Sequence, residues 1–349
     1  MRPHILVLGA NGFVGSHFVH QALQLGWKVD GAKRPSGITS HFESIKNYYE
    51  NLQNPEFSLL NSLKTKLSNF SDEGYVFDPD QNTLTGEFKW IDVDLNDTIN
   101  IIEILQTPYD IVVNTAAMIS FNISQDAIMI ETNTQITQNI VNACLEAKIS
   151  KLIHFSSIAA LGRPENNEDI TINDTWSDSE FNTPYALSKH LSEIEVWRGA
   201  HEGLNVLILN PGVILGYSKA KTSSTQVIDA ANSANPFVPQ GSNGFIFVED
   251  LVARTLQLIE DPDNWQRRHL MVSHNISFQQ MFKTINEVHQ IKRTKLPLKQ
   301  PVFGIVYTLL KLFQFFNLPL PLSTHLLKST RKESRYDNRI GHTQSRKFA

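Results

Sequence analysis

The chain has 349 residues, a formal net charge of −4, and 41% apolar and 19% charged residues, which is enough for one large α/β domain with a smaller lobe and excludes a disordered or low-complexity chain. The mildly acidic balance excludes a basic nucleic-acid-binding surface, and the single cysteine, Cys144, excludes an internal disulfide and suits a reducing, cytoplasmic setting. No apolar run reaches the ~18 residues of a membrane-spanning helix.

The chain opens on HILVLGANGFVG. Ile5, Leu6, Val7 and Leu8 form a continuous apolar run, the pattern of a strand buried on both faces. That strand is expected almost at the N-terminus, with no leader peptide before it. Gly9, Gly12 and Gly15 follow, and apolar residues then recur at helical spacing up to Gly26. A strand, a glycine turn and a helix start make a phosphate cradle: Gly9 permits the turn, Gly12 lets a pyrophosphate approach, and Gly15 lets helix and strand pack closely. The expected dinucleotide contacts here are Gly9, Asn11, Gly12, Phe13, Val14 and Gly15.

A second strand is predicted over 28–32, ending in Lys33 and Arg34. The end of this strand meets the adenosine ribose in such folds, and two basic residues there suit a 2′-phosphate. NADP(H) is therefore favoured, with NAD(H) as the alternative. Asp30 lies too early in the strand to take the ribose. Residues 36–86 are long for a connection and read as an insertion, with helices expected from 40 towards 49 and over 61–70, and a loop or hairpin over 75–85. Its chemistry is not legible. A third strand is expected over 88–93, followed by Asp94-Leu95, and a fourth over 111–113, followed by Asn114 and the small residues Thr115, Ala116 and Ala117, which leave room for a ligand.

A long helix is expected over 123–147, carrying Asn133 and Cys144, the latter a core residue. A fifth strand over 151–155 ends in Ser156-Ser157, and a sixth over 205–209 ends in Asn210-Pro211-Gly212. Between them, Thr183 can cap a helix opened by Pro184, which puts Tyr185 and Lys189 one turn apart on one face. A free phenol titrates near ~10, and a nearby ammonium favours the phenolate, so the pair can act as an acid–base unit. His17 and His20 share a helix face with no cysteine or carboxylate at ligand spacing, which reads as solvated surface, and no metal site is expected. His154 reads as core.

The elements GANGFVG, DVDL, NTAA, HFSSIAALG, YALSK and NPGVILG, in this order, resemble the extended short-chain dehydrogenase/reductase superfamily over nearly the whole chain. The resemblance implies a doubly wound Rossmann-type parallel sheet with a smaller, sequence-interleaved C-terminal substrate lobe. It places the dinucleotide domain over 1–261, with the 36–86 insertion and with parts of 163–182 and 213–244 in the lobe, and the rest of the lobe over 262–349. It implies that Ser157 polarises the substrate oxygen, Tyr185 exchanges the proton, Lys189 binds the nicotinamide ribose and tunes Tyr185, and Asn133 completes the site. It further implies that Asp94 and Leu95 meet the adenine, Thr115, Ala116 and Ala117 pass beside the cofactor, and Pro211, Gly212 and Val213 lie along the nicotinamide.

Ile158-Ala159-Ala160 lacks the acidic pair of nucleotide-sugar dehydratases, and the stretch after the sixth strand lacks the epimerase Arg and Asn. The chain looks instead like the dihydroflavonol-reductase-like and 3β-hydroxysteroid-dehydrogenase-like branches of the epimerase/dehydratase family. That implies a ketone or aldehyde interconverted with an alcohol on a fairly apolar small molecule. A nucleotide-sugar epimerase or dehydratase and a non-catalytic dinucleotide sensor are the competing readings, although retention of Tyr185 and Lys189 opposes the sensor. The apolar stretch 302–322, followed by a basic C-terminus, fits a packed lobe helix, a lid, or a helix docked on a membrane surface. A homodimer is expected by analogy alone.

Overall fold

The computed structural model describes residues 2–52, 57–68, 84–120, 122–163, 168–219, 223–315 and 324–337. Most of the loop expected over 75–85, the end of the apolar 302–322 stretch and the last twelve residues lie outside the described residues.

In chain order the strands are β1 (His4–Leu8), β2 (Lys28–Lys33), β3 (Glu87–Asp92), β4 (Ile111–Asn114), β5 (Lys151–Phe155), β6 (Ile170–Thr171), β7 (Asn205–Pro211), β8 (Val213–Leu215), β9 (Phe237–Val238), β10 (Ser242–Phe247), β11 (Arg267–Met271), β12 (His274–Ser277), β13 (Leu296–Pro297) and β14 (Tyr336–Asp337). The helices are α1 (Phe13–Gln24), α2 (Ser40–Glu50), α3 (Ser58–Leu67), α4 (Thr98–Ile104), α5 (Asp126–Glu146), α6 (Pro184–His201), α7 (Ser223–Asn232), α8 (Val248–Glu260), α9 (Phe278–Val288), α10 (Val302–Phe315) and α11 (Thr324–Ser329).

Seven strands form one sheet in the order β11-β7-β5-β4-β1-β2-β3, every neighbouring pair parallel. The doubly wound parallel sheet read from the sequence is thus the observed fold. Alternation along β1 sends Ile5 and Val7 into the layer of Phe18 and Val19 from α1 and Leu251 and Val252 from α8. Leu6 and Leu8 enter the opposite layer, with Ile140 and Val141 from α5 and Val196 from α6. Each fully buried aliphatic side chain of this kind stabilises the fold by roughly 1.5–3 kcal/mol. The chain leaves β1 in one direction to β2 and returns on its other side to β4, which opens a crevice at the carboxyl ends of the strands.

Beyond residue 262, β11 pairs with β7 and completes the central sheet. The smaller lobe is built on the sheet β12-β10-β8, with Phe245, Phe247, Ile276 and Phe282 in its core. Leu63 and Leu67 of α3 join that core, so the insertion packs against the lobe as well as the dinucleotide domain. In α10, Phe303 and Leu310 pack with Leu298 and Leu327, while Val302, Ile305 and Leu309 are exposed. Among the described residues, no helix is long and apolar enough to cross a membrane.

The solvated reading of His17 and His20 is overturned, since both are buried. The insertion covers them: His17 Nδ1 shares a hydrogen bond with the Tyr49 hydroxyl (2.9 Å), and His20 stacks on the Tyr49 ring at 4.1 Å. Burial pushes His17 down to about 4 and His20 to about 3, from 6.5. Both rings are therefore neutral when folded and free to protonate when unfolded. Their contribution to stability is complete above pH 6.5 and is lost as pH falls towards about 4 for His17 and about 3 for His20. The thermal midpoint should drop across that window, and His20→Phe, which keeps the stack without a titrating group, should flatten the drop. Equal pH slopes in the two proteins would refute the assignment.

Candidate active site

The glycine turn is shaped by what crosses it. Gly9 has φ +80°, and a Cβ there would meet the Ala116 backbone at 3.0 Å. A Cβ on Gly15 would lie 2.2 Å from the Gly9 carbonyl and 2.8 Å from Thr115 Oγ1. The 114–117 segment is pressed onto the turn by the Thr115 hydroxyl, which donates to the Leu8 carbonyl at 2.8 Å. Gly12 caps α1 without a side chain, so the first amides of that helix remain available to an anion. Gly12, Phe13, Val14 and Gly15 line one end of a cavity of about 740 Å³ at the carboxyl ends of the strands. A pyrophosphate fits this cradle of free helix-start amides, and a Cβ on Gly9 or Gly15 would press into the backbone that shapes it.

The same cavity is lined by Thr115, Ala117, Ser157, Tyr185, Pro211, Gly212 and Val213, so the structure brings most of the sequence-predicted residues together. Gly212 has a backbone reason as well: its Cβ would lie 2.5 Å from the Gly244 carbonyl, where β8 meets β10. Gly9 and Ala116 lie just behind the wall. Asn11 donates through Nδ2 to the Ile38 carbonyl (3.1 Å), tying the turn to the start of the insertion.

Thr183 caps α6 as its sequence suggests, its hydroxyl accepting from the Ala186 amide at 3.1 Å, with Pro184 in the first turn. Tyr185 thus enters the cavity from the start of α6. Ser157 sits at the end of β5 and caps the short helical turn Ile158–Leu161, its Oγ accepting from the Ala159 amide at 3.1 Å. Burial pushes the Tyr185 phenol up, and a side-chain hydrogen bond with Ser157 opposes this. The phenol is accordingly protonated through the neutral range. The neighbouring Ser156 is already committed: it donates to the buried Glu193 carboxylate, which leaves Ser157 for a ligand.

Lys189 is buried, and its ammonium donates to the Phe155 carbonyl at 2.9 Å. Burial pushes it down to about 8, with Glu193 acting the other way. Burial, not Lys189, is the leading influence on the phenol in this arrangement.

Four expected contacts stand elsewhere. Asn133 is buried behind the cavity, clamping the Met118 backbone in both directions (2.7 and 2.9 Å) and donating to Ser188 Oγ (3.1 Å). Lys33 is paired with Asp92 across β2 and β3, which leaves the exposed Arg34 as the cation at the end of β2. Asp94 folds its carboxylate onto the Asn96 amide (3.0 Å), holding its own turn, while the adjacent Leu95 is buried in the core.

Asp126, His325, Leu326, Gln226 and Asn243 also line the cavity and carried no signal in the sequence, because the lobe residues come from separate loops and helices. Burial pushes the Asp126 carboxyl up, against the pull of His325. Among the described residues, no group of three or more His, Cys, Asp or Glu side chains could hold a metal ion.

The model of the NAD dependent epimerase/dehydratase family matches residues 5–273. Among curated proteins, the chain is 24% identical over 266 residues to cinnamoyl-CoA reductase 2 of Medicago truncatula, covering 73% of this chain and 68% of that protein. It is 28% identical over 138 residues to tetraketide alpha-pyrone reductase 2 of Arabidopsis thaliana, covering 36% of this chain and 43% of that protein. The chain spans about half the length of several other curated relatives that it matches. In fold it is similar to a nucleoside-diphosphate-sugar epimerase from Pseudomonas aeruginosa, with a TM-score of 0.67 at 17% identity, over 97% of this chain and 90% of that one.

Proposed function

The chain belongs to the NAD dependent epimerase/dehydratase family and is an NAD(P)-dependent enzyme of the extended short-chain dehydrogenase/reductase type, and from that premise we propose that it reduces a carbonyl group on a fairly apolar small molecule. The observation that carries this reading is the half-buried Tyr185 side chain, hydrogen-bonded to Ser157 on the cavity wall. The chemistry that a reduced nicotinamide would supply, when bound, is a hydride for the carbonyl carbon. Ser157 stabilises the charge that grows on the carbonyl oxygen, and Tyr185 delivers its proton there, completing the alcohol. Lys189, one turn further along the same face of α6, would bind the nicotinamide ribose and hold positive charge on the side from which the phenol gives up its proton. The glycine turn would hold the pyrophosphate, and Gly212 and Val213, on the cavity wall, would take the nicotinamide end. Asn133 serves by fixing the Met118 backbone, whose neighbours Ala117 and Ile119 line the cavity.

The substrate end of the cavity supports an apolar molecule. Ile119, Met129, Ile158, Phe181, Ile214 and Leu326 line it. Among the described residues that line the cavity, the one guanidinium, that of Arg163, donates to the Ser329 carbonyl, and Asp126 adds negative charge. A nucleotide diphosphate finds little to hold it there. The reductase names of the curated relatives point the same way.

A panel of apolar ketones, aldehydes and nucleotide sugars, followed at the reduced-cofactor absorbance, tests the reading. Turnover of an apolar carbonyl is expected. Conversion of nucleotide sugars alone would replace it with the epimerase reading. The exposed Arg34 favours NADP(H), so Arg34→Ala should raise the KM for NADPH about tenfold with little change for NADH. A wild-type preference for NADH would overturn the cofactor choice.

A further inference from the structure

A second layer of polar residues lies behind the cavity, and it centres on Glu193. This residue follows Lys189 by one turn of α6 and is buried. Its Oε1 accepts hydrogen bonds from Ser156 Oγ and Asn210 Nδ2, and its Oε2 faces Arg268 at 3.5 Å. Both carboxylate oxygens are therefore met by donors, which favours the ionised form, while burial acts the other way and pushes the carboxyl up. Asn210 Nδ2 also donates to the Ser157 carbonyl at 2.9 Å, so the cluster joins α6, β5 and β7 directly beneath Ser157.

Lys189 has little else to compensate its charge. Facing it are Tyr185 and Glu193 from α6, and the Phe155 carbonyl and His154 from β5; Arg268 of β11 stands beyond Glu193. Burial holds His154 neutral, and Lys189 adds to that effect. From α5 the neighbours are neutral, Asn133 reaching the helix through Ser188 and Ser192. Among the described residues, Glu193 is thus the acid that acts on Lys189.

We propose that Glu193 is a positioning residue whose fixed carboxylate, fastened by Ser156, Asn210 and Arg268, keeps the Lys189 side chain charged inside the protein. The proposal rests on the reading that Tyr185 and Lys189 carry the proton. An uncompensated buried ammonium gives up its proton as pH rises towards neutrality, and burial alone acts on Lys189 in that direction. With Glu193 in place the ammonium persists through the range in which the phenol must release its proton. The alternative, that the cluster merely ties helix to sheet, predicts the opposite ranking of variants. Glu193→Gln preserves length and most hydrogen bonds but removes the charge. Glu193→Asp keeps the charge but shortens the reach and disturbs the bonds.

The test is the pH titration of the Lys189 Cε resonance in protein carrying 13C-labelled lysine, without substrate, assigned as the signal missing in Lys189→Met. The wild-type midpoint is expected near 8. It should fall by about one pH unit or more in Glu193→Gln, and by a smaller but measurable amount in Glu193→Asp, whose shorter side chain holds the charge farther from Lys189. The alkaline limb of kcat against pH should move to lower pH in the same order. An unchanged midpoint in Glu193→Gln, or a larger fall in Glu193→Asp than in Glu193→Gln, overturns the proposal. If Glu193→Gln does not fold, a wild-type midpoint in Glu193→Asp overturns it and a partial fall supports it. Wild-type turnover in Lys189→Met would instead refute the underlying proton-transfer reading, while the resonance midpoints judge Glu193 independently.

Discussion

Tyr185→Phe is expected to lower turnover by a factor of about 10²–10⁴ while leaving cofactor affinity within about threefold of wild type. The substitution removes one oxygen. The ring stays in the cavity wall at the start of α6, the Thr183 cap and Pro184 are untouched, and the glycine turn lies on a different element. What disappears is the proton that must reach the carbonyl oxygen as hydride reaches its carbon. Ser157 can still donate a hydrogen bond, so some stabilisation of the growing charge survives. The expected loss corresponds to about 3–5 kcal/mol of barrier. Because burial pushes the phenol up, the wild-type rate of reduction should be insensitive to pH across the neutral range as far as this group is concerned. Turnover within tenfold of wild type in Tyr185→Phe, with cofactor binding intact, would mean that another group delivers the proton.

Legibility in the sequence followed how local each signal was. The strand, turn and helix of 4–24 lie within one stretch, and the Thr183-Pro184 cap with the Tyr185–Lys189 spacing lies within another, so their placement could be read directly. The central sheet was legible because its inner strands are continuous apolar runs buried on both faces. β11 was not, because an edge strand reading RRHLM is half exposed and carries two arginines and a histidine. The pairing of Lys33 with Asp92 depends on β2 lying beside β3, a contact across 59 positions. His17 and His20 were misread because polar residues on one helix face look solvated until the insertion that covers them is placed. The same reason hides Glu193: a glutamate in mid-helix reads as solvated until β7 and β11 are laid against it.

The insertion supplies the second large effect. Lys64→Met is expected to destabilise the protein by about 3 kcal/mol, a fall in thermal midpoint of roughly 5–10 °C. Glu249, in the first turn of α8, is fully buried. Its Oε1 accepts from the Tyr48 hydroxyl of α2 at 2.6 Å, and its Oε2 pairs with the Lys64 ammonium of α3 at 3.0 Å. Gln21 of α1 bridges the Tyr49 hydroxyl and the Glu249 carbonyl, both at 3.0 Å. One carboxylate thereby fastens both helices of the insertion to the dinucleotide domain. Burial alone would push the Glu249 carboxyl up; Lys64, His17 and the Tyr48 bond outweigh it and bring it below the ordinary value. Without Lys64 the charge remains buried and loses its main partner, which costs more than the pair contributed. Lys64 is itself 17% exposed, which places the effect at the lower end of the range for buried pairs. Adding Glu249→Gln to Lys64→Met removes the stranded charge, so the double variant should recover part of the loss. An unchanged midpoint in Lys64→Met would show instead that Leu63 and Leu67, packed into the core of the lobe, hold α3 in place without the ion pair.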